Sequence, residues 1–329
     1  MLTRSYKELE LSTQIIIKGA LKRGVEVEVL DWDDNFIRLK KDSKVEYIKQ
    51  GTKTSVDTYI AALIMENKEV TKIMLKEHDL NVPESTTIKL VDEAAKRFTD
   101  FIGKDIVIKP KSTNFGLGIT ILKNLISKED YMLAIKQALD YDSSVMIEEF
   151  IHGKEYRFLV VGDEVAAILH RVPANVVGNG SLNIKELVDE KNKNPMRGQG
   201  YITPLEKIVL GSFEKDYLIS QGKDISYVPI DGEVIYLREN SNLSTGGDSI
   251  DFTDDILDDY KHIAVESAKA VGAKICGADI IISDVKAKPD RSNHSIIELN
   301  FNPILHAHAY PSQGKNRHVE DNVLDLLGF

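Results

Sequence analysis

Apolar residues recur every three to four positions near the start of the chain. Leu9, Leu11, Ile15, Ile16 and Leu21 predict a helix over residues 1–24, stopped by Gly24. The spacing then shortens to two. VEVEVLDW (25–32) predicts a strand, and FIRLKK (36–41) and KVEYIK (44–49) predict two more, joined at Asp42-Ser43. Helical spacing returns from Thr54 to His78 and ends at Val82-Pro83, because a residue before proline avoids the helical region. DEAAKRF predicts a helix and DIVIKP (105–110) a buried strand. A glycine-bearing loop (112–118), a strand GITILK, a helix over 128–140 and a strand SVMIEEFI (144–151) follow. RFLVVGDEVAAILHRV reads as two strands turning at Gly162-Asp163. GNGS and RGQG flank a short helix within 175–204 and predict mobile loops. Ile256, Tyr260, Ile263, Ala264 and Val271 give one face of a helix over 256–271. CGADIIISDV and HSIIELNFN predict strands, and VEDNVLDLLGF a closing helix. Antiparallel hairpins mixed with helices, without strict βαβ alternation, indicate an α+β class.

Composition narrows the function classes. At roughly 150 residues per domain, 329 residues allow about two domains. The net charge of −10 argues against non-specific nucleic-acid binding, which needs basic surface, yet permits a local anion site. A single cysteine, Cys276, excludes an intrachain disulfide and reads as a buried small hydrophobe. No apolar run approaches the ~18 residues of a membrane helix, and the N-terminus has no apolar signal core. A cytoplasmic protein is expected. Neither G-x-G-x-x-G opening a helix nor G-x-x-x-x-G-K-[ST] occurs.

Four groups of residues can carry chemistry. Glu298 and Asn300 are two apart in a strand and share a face, and Asp279 lies in another strand. Oxygen donors of this kind suit Mg²⁺; otherwise they are strand-end or solvent-facing polar groups. Carboxylates inside strands as apolar as ADIII and IIELN need compensation, which a metal supplies. Lys109 ends the apolar run IVIKP, and Gly116 and Gly118 in the next loop let backbone N–H groups approach phosphate; an ordinary hairpin is the alternative. Glu148, Glu149 and Glu155 in MIEEFIHGKEYRF can accept from an adenine amino group or a ribose hydroxyl, or simply face solvent. Arg157, Arg171 and Arg238 sit in apolar frames, where arginine serves structural pairing or anion binding alike. His306 and His308 alternate in LHAHA without a zinc pattern.

In order, these pieces resemble the ATP-grasp superfamily of carboxylate–amine ligases over roughly residues 60–310. The chain is most similar to the glutathione-synthetase module of bifunctional glutamate–cysteine ligase/glutathione synthetases. LELSTQIIIKGALKRG, YIAALIMENKEVTK, NPMRGQGYITPLEKI, ENSNLSTGGDSIDFTDD and QGKNRHVEDNVLDLLGF carry the likeness. Cyanophycin synthetases are more distant, sharing the style of RVPANVVGNGS. With numbering from Met1 and no preceding ligase domain, a free-standing or excised module is expected, lacking the first ligase activity.

The resemblance implies an ATP-grasp fold of two α+β lobes clasping ATP. Residues 1–80 would form an N-terminal α/β segment, 81–152 a small lobe with the phosphate loop, and 153–329 a large lobe with the metal site. It implies ATP and Mg²⁺, two ions, with Mn²⁺ an alternative. Lys72 and Lys109 match phosphate-contacting lysines, and the loop from Ser112 through Gly116 to Gly118 matches the phosphate cover. Glu148, Glu149 and Ile151 match the adenine hinge, Glu155 the ribose acid, and Asp279, Glu298 and Asn300 the metal ligands. Arg157 and the segment Asn242, Ser244, Thr245, Gly246 are expected at the acid substrate. Some relatives carry an arginine two residues before the metal aspartate; Gly277 stands there here, and Arg171 or Arg238 is expected to replace it.

The implied reaction phosphorylates a carboxylate, and an amine then displaces phosphate, with segments 112–118 and 192–203 as lids. The expected substrates are γ-glutamylcysteine and glycine. A ligase for another acid or amine, or a silent nucleotide-binding subunit, are the competing readings. A homodimer is compatible with the resemblance; nucleic acid and membrane are not expected. Asp279→Asn and Glu298→Gln are both expected to abolish turnover with the fold intact.

Overall fold

The structure, a computed structural model, describes residues 4–112 and 118–329. A 3-10 turn (Tyr6–Glu8) capped by Ser5 precedes α1 (Leu11–Lys22), so the first helix is shorter than its apolar spacing suggests. Leu9, with extended backbone at φ −78° and ψ 159°, separates the two. Gly24, at φ +71°, ends the segment as expected. Strands β1 (Glu26–Asp31), β2 (Phe36–Lys41) and β3 (Lys44–Lys49) make an antiparallel sheet. The helical stretch that follows is broken into α2 (Tyr59–Glu66) and α3 (Lys68–Glu77). Asn67 leaves the helical region at φ −96° and ψ 93°, and its side chain caps α3 by accepting the Val70 N–H.

A second unit contains β4 (Ser85–Ile88), α4 (Val91–Arg97), β5 (Ile106–Pro110), β6 (Thr120–Leu122), α5 (Lys128–Leu139) and β7 (Val145–Glu149). Its sheet runs β4-β7-β5-β6. Ile106, Ile108, Val145 and Ile147 pack on α4 and α5. The alternate residues, Lys109 and Glu148 among them, therefore lie on the other face.

The third unit is built on β8 (Lys154–Val161) and β9 (Glu164–Val172), the hairpin expected at Gly162-Asp163. An insertion with its own apolar core follows. It comprises β10 (Asn175–Val177), α6 (Ile184–Lys191), β11 (Arg197–Gly198), β12 (Leu205–Glu206), α7 (Ser212–Ser220) and β13 (Val234–Tyr236). The chain then forms β14 (Asp248–Asp251), α8 (Asp258–Ala270), β15 (Ile275–Ile282), β16 (His294–Asn300), α9 (Leu305–Ala309) and α10 (Val319–Leu326). The alternation read in LHAHA is thus helical.

The main sheet is antiparallel, in the order β14-β9-β8-β15-β16. Tyr156, Phe158, Val160, Ala278 and Ile280 face α8. Leu159, Val161, Ala167 and Ile275 face the other way, against α1, α9, α10 and the β1–β3 sheet. The N-terminal segment is thereby mounted on the polar-bearing face of the main sheet. No described helix is long and apolar enough to cross a membrane.

Candidate functional site

Strand alternation puts the chemistry of four strands on one face. Arg157 stands opposite Asp279, Asp279 opposite Glu298, and Gly277 opposite Asn300. These residues share the side facing α1 and α9, while Cys276 faces α8, where burial pushes its thiol up to about 12. Asp279 has a 2% exposed side chain. Arg157 grips it in bidentate fashion, Nη2 donating to Oδ2 at 2.6 Å and Nε to Oδ1. Arg171 Nη1 donates to the same Oδ2 at 3.2 Å and lies 3.2 Å from Glu155 Oε1. Asn300 Nδ2 donates to Oδ2 at 3.3 Å. Burial raises the Asp279 carboxyl, but Arg157 and then Arg171 outweigh it and hold it below the usual range. Burial pushes the neighbouring Glu155 carboxyl up, against the pull of Arg171; the Ser241 hydroxyl donates to its Oε2.

The buried aspartate is therefore compensated by guanidinium groups rather than by a metal alone. Gly277 explains how. A Cβ there would lie 2.8 Å from Arg157 Cδ and 3.2 Å from Arg157 Nη1, so the glycine leaves space for the arginine of the adjacent strand. Arg157, and not Arg171 or Arg238, occupies the place over Gly277. Arg238 is engaged in the insertion, where Nε donates to Glu214 and the guanidinium lies 5.5 Å from the Phe213 ring centroid. It is not among the residues lining the cleft.

A second cluster lies on the polar face of the smaller sheet. Glu148 accepts from Lys72 Nζ at 2.6 Å and lies 2.7 Å from Lys109 Nζ, and all three residues are buried. Lys72 also reaches the Pro83 carbonyl at 3.3 Å. Burial brings the Lys72 ammonium down to about 8 in spite of Glu148. Burial opposes ionisation of Glu148, but Lys109 and then Lys72 prevail and hold its carboxyl low. Two cations set around one buried carboxylate have the charge to hold a phosphate oxygen as well, provided Glu148 keeps a partner when they turn to it.

Helix α3 links the clusters. Lys68 lies one turn before Lys72. Its Nζ is 3.5 Å from Glu298 Oε1. The i, i+4 relation of Lys68 to Lys72 on one helix is the sequence signal that points to it.

A cleft of about 330 Å³ opens over the arginine–carboxylate face, a volume suited to a small ligand. Arg157, Arg171, Asn242, Ser244, Glu298 and Asn300 line it. Arg171 Nη2 donates to Asn242 Oδ1 at 2.7 Å. Glu10, Ser12, Gln50, Tyr201, His306 and His308 also line the cleft, and no local sequence pattern marks them. Burial lowers His306 to about 4 and His308 to about 3, so both imidazoles are neutral; His306 Nδ1 pairs with Ser12 Oγ at 3.0 Å.

Other expected residues lie outside this lining. Thr245 bonds the Asn242 carbonyl at 2.9 Å, and a Cβ on Gly246 would meet Ile208 at 2.6 Å. Ser112 donates its N–H to Asp142 at 2.7 Å. Gly118 takes φ +70°. Gly116 lies outside the described residues. Glu149 is exposed at the end of β7, and Ile151 is half-buried just beyond it.

The oxygen donors suit a divalent cation of the Mg²⁺ type. Glu298 and Asn300 face the cleft, and Asn300 Nδ2 is turned to Asp279 and the Gly277 carbonyl, leaving its amide oxygen for a ligand. Both Asp279 oxygens are engaged, so its share in metal binding requires a guanidinium to turn away.

Comparison with known proteins agrees with this order of parts. The family described as an ATP-grasp-like domain matches residues 7–60, and that described as D-ala D-ala ligase C-terminus matches residues 74–190. The glutathione biosynthesis bifunctional protein GshAB of Clostridium perfringens is 57% identical over 322 residues, a match covering 98% of this chain and 41% of that protein. The GshAB of Desulfotalea psychrophila is 50% identical over 323 residues, covering 98% and 42%. The crystal structure of a bifunctional glutathione synthetase from Pasteurella multocida aligns with a TM-score of 0.75 at 45% identity, covering 98% of this chain and 44% of that one. The chain thus spans less than half the length of these relatives. It has the ATP-grasp fold and is similar, over nearly its whole length, to one portion of the bifunctional glutathione biosynthesis proteins.

Proposed function

We propose that the chain is an ATP-dependent carboxylate–amine ligase of the glutathione-synthetase type, joining γ-glutamylcysteine to glycine. The observation that carries the reading is the convergence on one cleft face of Arg157, Arg171, Asp279, Glu298 and Asn300, tied through α3 to the buried Lys72–Glu148–Lys109 group.

In this reading Lys72 and Lys109 leave Glu148 to hold the ATP phosphates, and Glu148, Glu149 and Ile151 border the adenine. Glu155 and the loop 112–118 complete the nucleotide site. Glu298 and Asn300, joined by Asp279, would hold Mg²⁺. Bound there, the ion would supply charge neutralisation on the phosphates and polarise the transferred group. Arg157 and Arg171 orient the acid's carboxylate, and Asn242, Ser244, Thr245 and Gly246 frame the rest of the acid. The carboxylate oxygen attacks the terminal phosphorus, giving an acyl phosphate and ADP. The amine then attacks the acyl carbon, phosphate leaves, and the amine proton passes to solvent. No covalent enzyme intermediate is needed; the protein positions groups and excludes water.

The test is ADP release by the purified chain with ATP and Mg²⁺, offering γ-glutamylcysteine and glycine together and singly, with products identified by mass. Turnover requiring both supports the reading. Turnover with a different amine keeps the mechanism and changes the product. No acid-dependent turnover overturns it.

A further inference from the structure

Tyr201 adopts φ +59°, a left-handed conformation rare for a bulky side chain. Such strain survives only where the surroundings enforce it, and it concentrates at functional sites. Here the enforcement is visible. The Glu206 carboxylate accepts the N–H of Tyr201 at 2.8 Å and of Gly200 at 3.3 Å. The Tyr201 carbonyl accepts the N–H of Leu11, the first residue of α1, at 2.9 Å. The backbone is thus held from both sides, which fixes the direction in which the side chain leaves it.

That ring lines the cleft. It lies 6.3 Å from the His306 ring, and its phenol is turned to Ser244. One residue therefore joins three parts of the wall that are remote in sequence: the start of α1, the turn Leu243–Thr245 and α9. Its neighbours in the lining, Glu10, Ser12, Gln50 and His306, are polar and contain no cation. The guanidinium groups of the cleft belong to Arg157 and Arg171, beside Glu298 and Asn300. The reacting carboxylate suits the arginine-bearing part. The Tyr201 part, with Glu10 among its neighbours and the Lys53 ammonium 2.6 Å from Gln50 Oε1, suits the remainder of the acid, a glutamyl end that carries both an ammonium and a carboxylate.

We infer that Tyr201 is a specificity-determining residue: its enforced backbone sets ring and phenol as the wall that holds the polar portion of the acid remote from the reacting carboxylate. The inference rests on the ligase reading and adds to it which residue selects the acid.

The experiment uses the full chain with Tyr201→Phe and Tyr201→Gly. It measures KM for γ-glutamylcysteine and for ATP, calorimetric binding of γ-glutamylcysteine, and Tm. Glycine takes this backbone without strain but gives up the ring's packing, so Tyr201→Gly shifts Tm by only a few degrees while KM and Kd for the acid rise about tenfold or more. Tyr201→Phe removes only the phenol hydroxyl and raises them roughly threefold. KM for ATP stays within about twofold in both. A purely structural role would instead lower Tm and raise both KM values together, and that outcome overturns the inference. So does unchanged acid affinity in both variants. Wild-type protein that neither binds the acid nor releases ADP with it overturns the ligase reading and this inference with it. Wild-type turnover that both variants reproduce overturns the inference alone.

Discussion

Asp279→Asn keeps the side chain's shape and removes its charge. The carboxylate is 2% exposed and accepts three hydrogen bonds from Arg157 and Arg171. Those arginine side chains are only 13% and 10% exposed, so the variant leaves two guanidinium groups desolvated with their shared partner neutral. Breaking a buried pair from one side costs about 3–5 kcal/mol. Glu155 still faces Arg171, which favours the lower figure, about 3 kcal/mol. At about 2 °C per kcal/mol for a chain of this size, Tm falls by roughly 6–10 °C over the full range. Glu298→Gln is the matched control. Glu298 is 31% exposed and its contact with Lys68 is 3.5 Å, a pairing worth at most about 1 kcal/mol, so Tm falls by less than about 2 °C. Both variants lose ADP release by about 100-fold or more under the proposed mechanism. Sequence alone leads one to expect an intact fold in both; the structure separates them. Acid adds a second readout. The native Asp279 carboxyl is depressed from 3.8, so its stabilisation is complete above about pH 4 and is lost as pH falls through the lowered value; Asp279→Asn removes that loss. Thermal scans across pH, with ADP release on the same preparations, make the test. An Asp279→Asn Tm equal to wild type refutes the charge-compensation account, and full turnover by Glu298→Gln refutes the metal assignment.

Two further outcomes are expected. Burial sets Lys72 near 8, so the nucleotide-free protein loses this positive charge as pH rises through that value, and kcat/KM for ATP declines above about pH 8. Lys72→Arg, whose guanidinium stays charged, moves the decline to higher pH; a wild-type profile flat to about pH 10 contradicts the assignment. Gly277→Ala places a Cβ 2.8 Å from Arg157 Cδ and drives the guanidinium from Asp279. It costs about 1–3 kcal/mol in urea unfolding and lowers turnover more than about tenfold; wild-type values for both show that Arg157 needs no space over residue 277.

Much of the site was legible because it depends on local periodicity. Strands β2 and β3 fall on FIRLKK and KVEYIK, and the Gly162-Asp163 turn joins β8 to β9, because alternation and turn chemistry act within a few residues. Alternation also put Glu298 and Asn300 on one face, and their apolar flanks marked Asp279 as a carboxylate needing compensation. Local spacing failed where a single backbone choice intervened, as at Leu9 before α1 and at Asn67 between α2 and α3.

Sequence by itself therefore determined the α+β elements, the face on which the carboxylates lie and the order of the lysines and carboxylates along the chain. Tertiary structure decided which cations those carboxylates meet. Arg157 rather than Arg238 compensates Asp279 because register between β8 and β15 sets them opposite and Gly277 opens the space. It also decided that the N-terminal segment walls the cleft: Ser12 meets His306 across 294 residues. Strand periodicity is a property of neighbouring residues, whereas guanidinium reach, cross-strand register and a wall assembled from both ends of the chain exist only once the sheets have packed.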